Sequence, residues 1–105
     1  MSHPAGTSIS PHVHNPVARE VTYTQEVLII RSGQLRVDFY DDEKCYLESR
    51  ILEPGDVLQL ISGGHGFEVL QDIEMLEIKQ GPYIGEKDKT RFDKVLEKEV
   101  ILFEK

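Results

Sequence analysis

The chain has 105 residues, 30% of them charged and 39% apolar, with a formal net charge of −7. A length of this order fits one domain around a single core. The acidic balance excludes nucleic acid as a partner, because a phosphate backbone demands clustered Lys and Arg and no basic stripe is present; an anionic membrane surface is excluded on the same ground.

No apolar run approaches the length needed to cross a bilayer, and the polar residues at the start of the sequence lead to the expectation of no signal peptide. The single cysteine, Cys45, has no internal disulfide partner, so a cytoplasmic protein is expected.

Residues 1–10 are rich in Ser, Pro, Gly and Thr and read as a flexible N-terminal arm. His12-Val13-His14 follows. Residues two apart in an extended chain point to one side, so both imidazoles can face one point, although solvated surface imidazoles show the same spacing. Over 17–30 the pattern is strand-like, with Val21, Tyr23 and the run Val27-Leu28-Ile29-Ile30, and Ser32-Gly33 is predicted to be a tight turn.

Leu35, Val37 and Phe39 alternate with Arg36, Asp38 and Tyr40, which predicts a two-faced strand with the second set solvated. Residues 41–44 form a polar hairpin loop, 46–52 the next strand, and Glu53-Pro54-Gly55-Asp56 a second turn. Val57 to Ile61 is a strand ended by Ser62-Gly63-Gly64-His65-Gly66. Strands at 67–70 and 75–78 follow, separated by a turn at Gln71-Asp72.

Short strands at near-even spacing predict an all-β sandwich or barrel. Beyond Asp88, Phe92, Val95, Leu96 and Glu99 have the spacing of a short helix, and Val100-Ile101-Leu102-Phe103 is apolar enough to dock on the barrel or on a second subunit. The run 27–30 has no polar side, and a strand apolar on both faces must be covered on both. A homodimer is therefore expected.

Glu26 heads this apolar strand, and a carboxylate there calls for a partner or a cation. His65 sits between glycines that let the backbone bend around one imidazole.

In that order these residues resemble a known family. The chain is similar to the small single-domain cupins of the RmlC-like jelly-roll superfamily, over roughly 11–80. The first cupin motif is matched by His12, His14, Glu26 and Gly33. The second is matched by Pro54-Gly55-Asp56 and His65. Three departures stand out: a long gap between His14 and Glu26, Ile61 where a proline is usual, and a His65 placed one residue early with Val69 where an asparagine is usual.

The resemblance implies a cupin jelly-roll barrel over 11–87, with 88–105 as a short helix or extended tail docked on it or on a second subunit. It also implies a divalent transition metal (Fe, Mn, Ni, Co or Zn) on His12, His14, Glu26 and His65, with Glu26 as ligand or base, and a small-molecule ligand in the barrel. Three functions stay open: a metal-dependent isomerase, epimerase or dioxygenase acting on a sugar-like metabolite; a non-catalytic small-molecule binder or sensor; and a metal-free cupin whose histidines do acid–base work.

Overall fold

The structure is a computed structural model, and it describes residues 1–80 and 89–103. The described residues are mostly β-sheet with almost no helix. Four strands follow in order: β1 at Glu26–Tyr40, β2 at Tyr46–Leu52, β3 at Val57–Leu60 and β4 at Gly64–Lys79. β1 is the axis of the sheet. β4 pairs antiparallel along one side of it from Glu26↔Lys79 to Tyr40↔Gly64. On the other side β3 pairs with residues 26–29 and β2 with residues 35–40. Among the described residues the sheet is not closed into a barrel.

Two expected turns are bulges instead. The chain runs straight through Ser32-Gly33, and through Gln71-Asp72 opposite, so β1 and β4 are each one long strand with irregular pairing at that level. Gly33 has φ +89°, and a Cβ there would collide with the Asp72 carbonyl. Only glycine lets the two backbones pass.

The turn at 53–56 between β2 and β3 lies beside this level. The amide of Ile30 donates to the Asp56 carbonyl at 3.0 Å, and that of Gly55 donates to the Ile30 carbonyl at 2.9 Å. Positive φ and the absence of sheet partners look the same in sequence whether the chain reverses or merely kinks.

The irregularity shifts the alternation of β1 by one residue. Leu28 and Ile30, at even positions, are therefore buried as are the odd-numbered Leu35 and Val37. Ile30, Leu35, Val37 and Leu52 form the core, and Phe39, Leu58, Phe67, Ile73 and Met75 pack against it.

The opposite set on β1 is not solvated as predicted. Arg36, Asp38 and Tyr40 are all buried. Their cover is the C-terminal segment, which crosses that part of the sheet. Lys94 Nζ meets Glu68 Oε1 on β4 at 3.0 Å, the Val95 amide donates to the Tyr40 hydroxyl at 2.9 Å, and Glu97 meets Arg36 at 2.7 Å. The segment then reaches β2, where Leu102 makes a parallel bridge with Ser49. The helix expected from Phe92 to Glu99 is reduced to one 3₁₀ turn at Glu97–Glu99. Polar anchors on the sheet, not a helical repeat, set the path of this segment.

Before Glu26 the chain is different. Residues 1–23 are exposed throughout, and of the strand expected over 17–30 only the part from Glu26 onward lies in a described strand of the sheet, with the Gln25 carbonyl accepting from the Gln80 amide just beyond its end. The radius of gyration is 17.3 Å, against about 13 Å for a close-packed chain of this length. No described helix is long and apolar enough to cross a membrane.

Candidate functional site

The first residue of β1 and the second of β4 open onto the same cavity. Glu26 and His65 line a volume of about 740 Å³ together with Tyr40, Phe67, Ile61 and the backbone of 62–66. Thr22, Tyr23 and Thr24 close one side, and residues 89–92 with Lys94 close another. A volume of this order suits a metabolite-sized ligand.

His65 is half-buried, and burial pushes its imidazole below the ordinary histidine value. The Glu26 carboxylate acts against that shift, while Lys89 and Lys79 reinforce it. A folded-state value below about 6.5 leaves the ring neutral at pH 7, with one nitrogen free to accept a proton. The ring also lies beside Phe67, with centroids 5.4 Å apart. Three cationic side chains, Lys89, Arg91 and Lys94, line the cavity in a chain whose net charge is −7.

The glycines around His65 do more than bend the chain. Gly63 has φ +81°, and a Cβ on it would meet the Tyr40 carbonyl at 2.8 Å. Gly64 is required by what lies over it: a Cβ would sit 2.9 Å from the Phe92 ring and 3.2 Å from Tyr40 Cβ. Phe92 in turn packs edge-on against Tyr40, with centroids 4.9 Å apart. The Gly-Gly-His-Gly run therefore seats the C-terminal segment over β4 while His65 lines the cavity.

The four residues expected to share one metal fall into two pairs. His12 and His14 stand together, their rings edge-to-face at 5.2 Å, on the exposed arm, with His12 Nδ1 2.9 Å from the Ser10 carbonyl. Glu26 and His65 form the second pair in the cavity, which His12 and His14 do not line. Among the described residues no three His, Cys, Asp or Glu side chains are grouped to hold a metal ion. In this arrangement the set does not fit a metal. The two-residue alternation does pair the imidazoles, but without a sheet partner nothing aims the arm at β1.

Lys89, Phe92 and Lys94 are lining residues that the sequence does not mark, while Arg91 reads there as a surface ion pair more readily than as a contact for a phosphate or carboxylate. Their separation of more than twenty residues from His65 carries no periodic signal; only the crowding of Gly63 and Gly64 hints that something large packs there. Gly81-Pro82-Tyr83, which follows the last core strand and reads in sequence as a place for a pocket rim, lies outside the described residues. Cys45 is free and exposed in the loop before β2.

No protein-family model matches the sequence, and searches of curated proteins and of solved structures return no match.

Proposed function

We propose that this chain binds a small polar metabolite, sugar-like and carrying an anionic group, in the cavity at the Glu26 end of β1, on a cupin-like jelly-roll scaffold. The observation that carries the reading is the convergence of Glu26 and His65, from opposite ends of the sequence of strands, on one cavity of about 740 Å³. Neutral His65 and the Glu26 carboxylate offer hydrogen bonds to hydroxyl groups, Tyr40 and Phe67 offer apolar faces for a ring, and Lys89, Arg91 and Lys94 supply positive charge for a carboxylate or phosphate. Concentrating cations at one opening of an acidic protein also steers an anionic ligand there.

A second reading, a metal-free isomerase or epimerase, is favoured by the depressed His65. A neutral imidazole beside a carboxylate can take a proton from a carbon acid and return it at another position.

Titration calorimetry with sugars, sugar phosphates and uronic acids tests the proposal. At least one anionic member is expected to bind, and His65→Ala to weaken it by about tenfold or more while the far-UV spectrum is kept, since this removes a hydrogen bond to a charged or polar ligand. No binding by any member, or binding unchanged in His65→Ala, sinks it. For a ligand that binds, deuterium incorporation from D₂O separates the readings: exchange at carbon marks the enzyme, its absence the binder.

A further inference from the structure

Three consecutive residues of the C-terminal segment, Lys89-Thr90-Arg91, line the cavity together. They bring an ammonium, a hydroxyl and a guanidinium fork to one space. Thr22, Thr24 and Ser62 line it from other walls with further hydroxyls.

The residues just beyond hold this wall in place. The Phe92 ring packs edge-on against Tyr40, with centroids 4.9 Å apart, over the space that Gly64 leaves open. Lys94 Nζ lies 3.0 Å from Glu68 Oε1, and buried Val95 donates its amide to the Tyr40 hydroxyl at 2.9 Å. A wall anchored this closely needs little further ordering when a ligand arrives.

Its charge is partly committed. Lys94 is engaged by Glu68, so the cations a ligand meets first are Lys89 and Arg91. Among the described residues no carboxylate forms an ion pair with Lys89, whose charge reaches His65 across the cavity. Glu26 is the lining carboxylate, and it repels an anion from its own side.

We infer that Lys89, Thr90 and Arg91 form a phosphoryl-binding wall, so that the ligand is a phosphate monoester of a small polar metabolite and not a carboxylate. This rests on the small-metabolite reading above and narrows its anionic group. A carboxylate carries one charge on two oxygens in a plane. A phosphate monoester carries about −1.5 to −2 at pH 7 on three terminal oxygens. Two cations with a hydroxyl between them match the second: the guanidinium fork takes two oxygens, and the ammonium and hydroxyl can reach the third. Glu26 and His65 are then left to the hydroxyl groups of the ligand. A polyphosphate chain is disfavoured, because the net charge of −7 repels a polyanion while a cavity of about 740 Å³ holds a single small molecule.

An amide NMR titration of the full chain with inorganic phosphate, at ionic strength held constant with sodium chloride, tests the inference. Phosphate should shift the amides of Gly63 to Gly66 and of Thr90, with a dissociation constant in the millimolar range, and acetate should bind at least about fivefold more weakly. Lys89→Met should weaken phosphate by about fivefold or more, since it removes a charged donor. Lys98→Met takes the same charge from the same segment but does not line the cavity, so it should leave phosphate binding unchanged. Both lysines are exposed, and thermal unfolding of either variant should match the parent. No shift of these amides at tens of millimolar phosphate overturns the inference, as does acetate binding equal to phosphate. So does phosphate binding that Lys89→Met leaves unmoved or that Lys98→Met weakens as much. In each of these cases the small-metabolite reading still stands or falls on the calorimetry with sugars and uronic acids.

Discussion

The two outer edges of this sheet differ in what they meet. The β2 edge is occupied: Ser49 donates its amide to the Ile101 carbonyl at 2.7 Å and accepts from the Phe103 amide at 2.8 Å. The β4 edge, four times as long as β3 and more than twice as long as β2, has no such partner among the described residues. The C-terminal segment brings the apolar run Val100-Ile101-Leu102-Phe103, yet Ile101, Leu102 and Phe103 stay exposed, so hydrophobic burial alone does not dock it. Buried polar groups do.

The C-terminal segment is tied down by a directed chain of hydrogen bonds. The Ile101 amide donates to the Tyr46 hydroxyl at 2.8 Å, and Tyr46 lies 2.6 Å from Ser49 Oγ. Ser49 spends its proton on Asp38, so Tyr46 must donate to Ser49. Asp38 faces Arg36 in a two-point pair at 2.8 and 3.1 Å, and Arg36 completes its bonds on Glu97. The two carboxylates hold the Arg36 guanidinium even further above its ordinary value. Among the described buried side chains, no polar atom lacks a hydrogen-bond partner. Among the described residues, 1–23 meet no comparable chain of bonds on the sheet.

The largest break in this contrast should come from Arg36→Met. Removing one member of a buried pair leaves Asp38 charged and uncompensated, at a cost of about 3–5 kcal/mol. Urea unfolding should show the midpoint fall, and exchange at Ile101 and Phe103 should rise towards that of unpaired backbone. A midpoint within error of the parent would mean that Asp38 is satisfied without its arginine.

Tyr46→Phe is a smaller cut in the same chain of bonds. It leaves the exposed Ile101 amide to water and removes the donor to Ser49, for about 1 kcal/mol. Its signature is local: faster exchange at Ile101 with the β1–β4 ladder unchanged. Equal acceleration throughout the sheet would show that the segment is part of the global fold and not a separately docked strap.

These contrasts explain what could be read in advance. The β class was legible because Leu35-Val37-Phe39 alternates and because Pro54-Gly55 and the 41–44 loop carry turn chemistry. Glu26 and His65 were legible because each is a polar residue in a local pattern that otherwise makes no sense of it. Arg36 and Asp38 were not, since charged residues alternating with apolar ones describe a solvated face equally well; the cover arrives from sixty residues away. The bulge at Gly33 was hidden because a turn and a bulge ask the same thing of glycine. His12 and His14 were legible as a pair, but where an unpaired arm is carried is not encoded in its own alternation.

Glu97 gives the smallest effect and the finest test of the comparison. It is two-thirds exposed, so water competes for both its carboxylate and the pair it makes with Arg36. The hydrogen bond from Arg36 is the main cause holding its carboxyl below the ordinary value, with the charge of Arg36 adding to it. A depressed acid stabilises the folded state at pH values above its unfolded pKa of about 4.5. That contribution fades as the pH falls through the lower folded value. Glu97→Gln should therefore cost little at pH 7, less still in high salt, and nothing once the pH is below the folded value. In urea unfolding followed from pH 7 downwards, the parent and variant curves should converge. The exchange of Ile101 should barely change at any pH, because Tyr46 and Ser49 hold that part of the segment without Glu97. If Glu97→Gln frees Ile101 as fully as Tyr46→Phe does, the β2 edge is held by the ion pair, and the distinction between a capped and a bare edge rests on charge and not on matched hydrogen bonds.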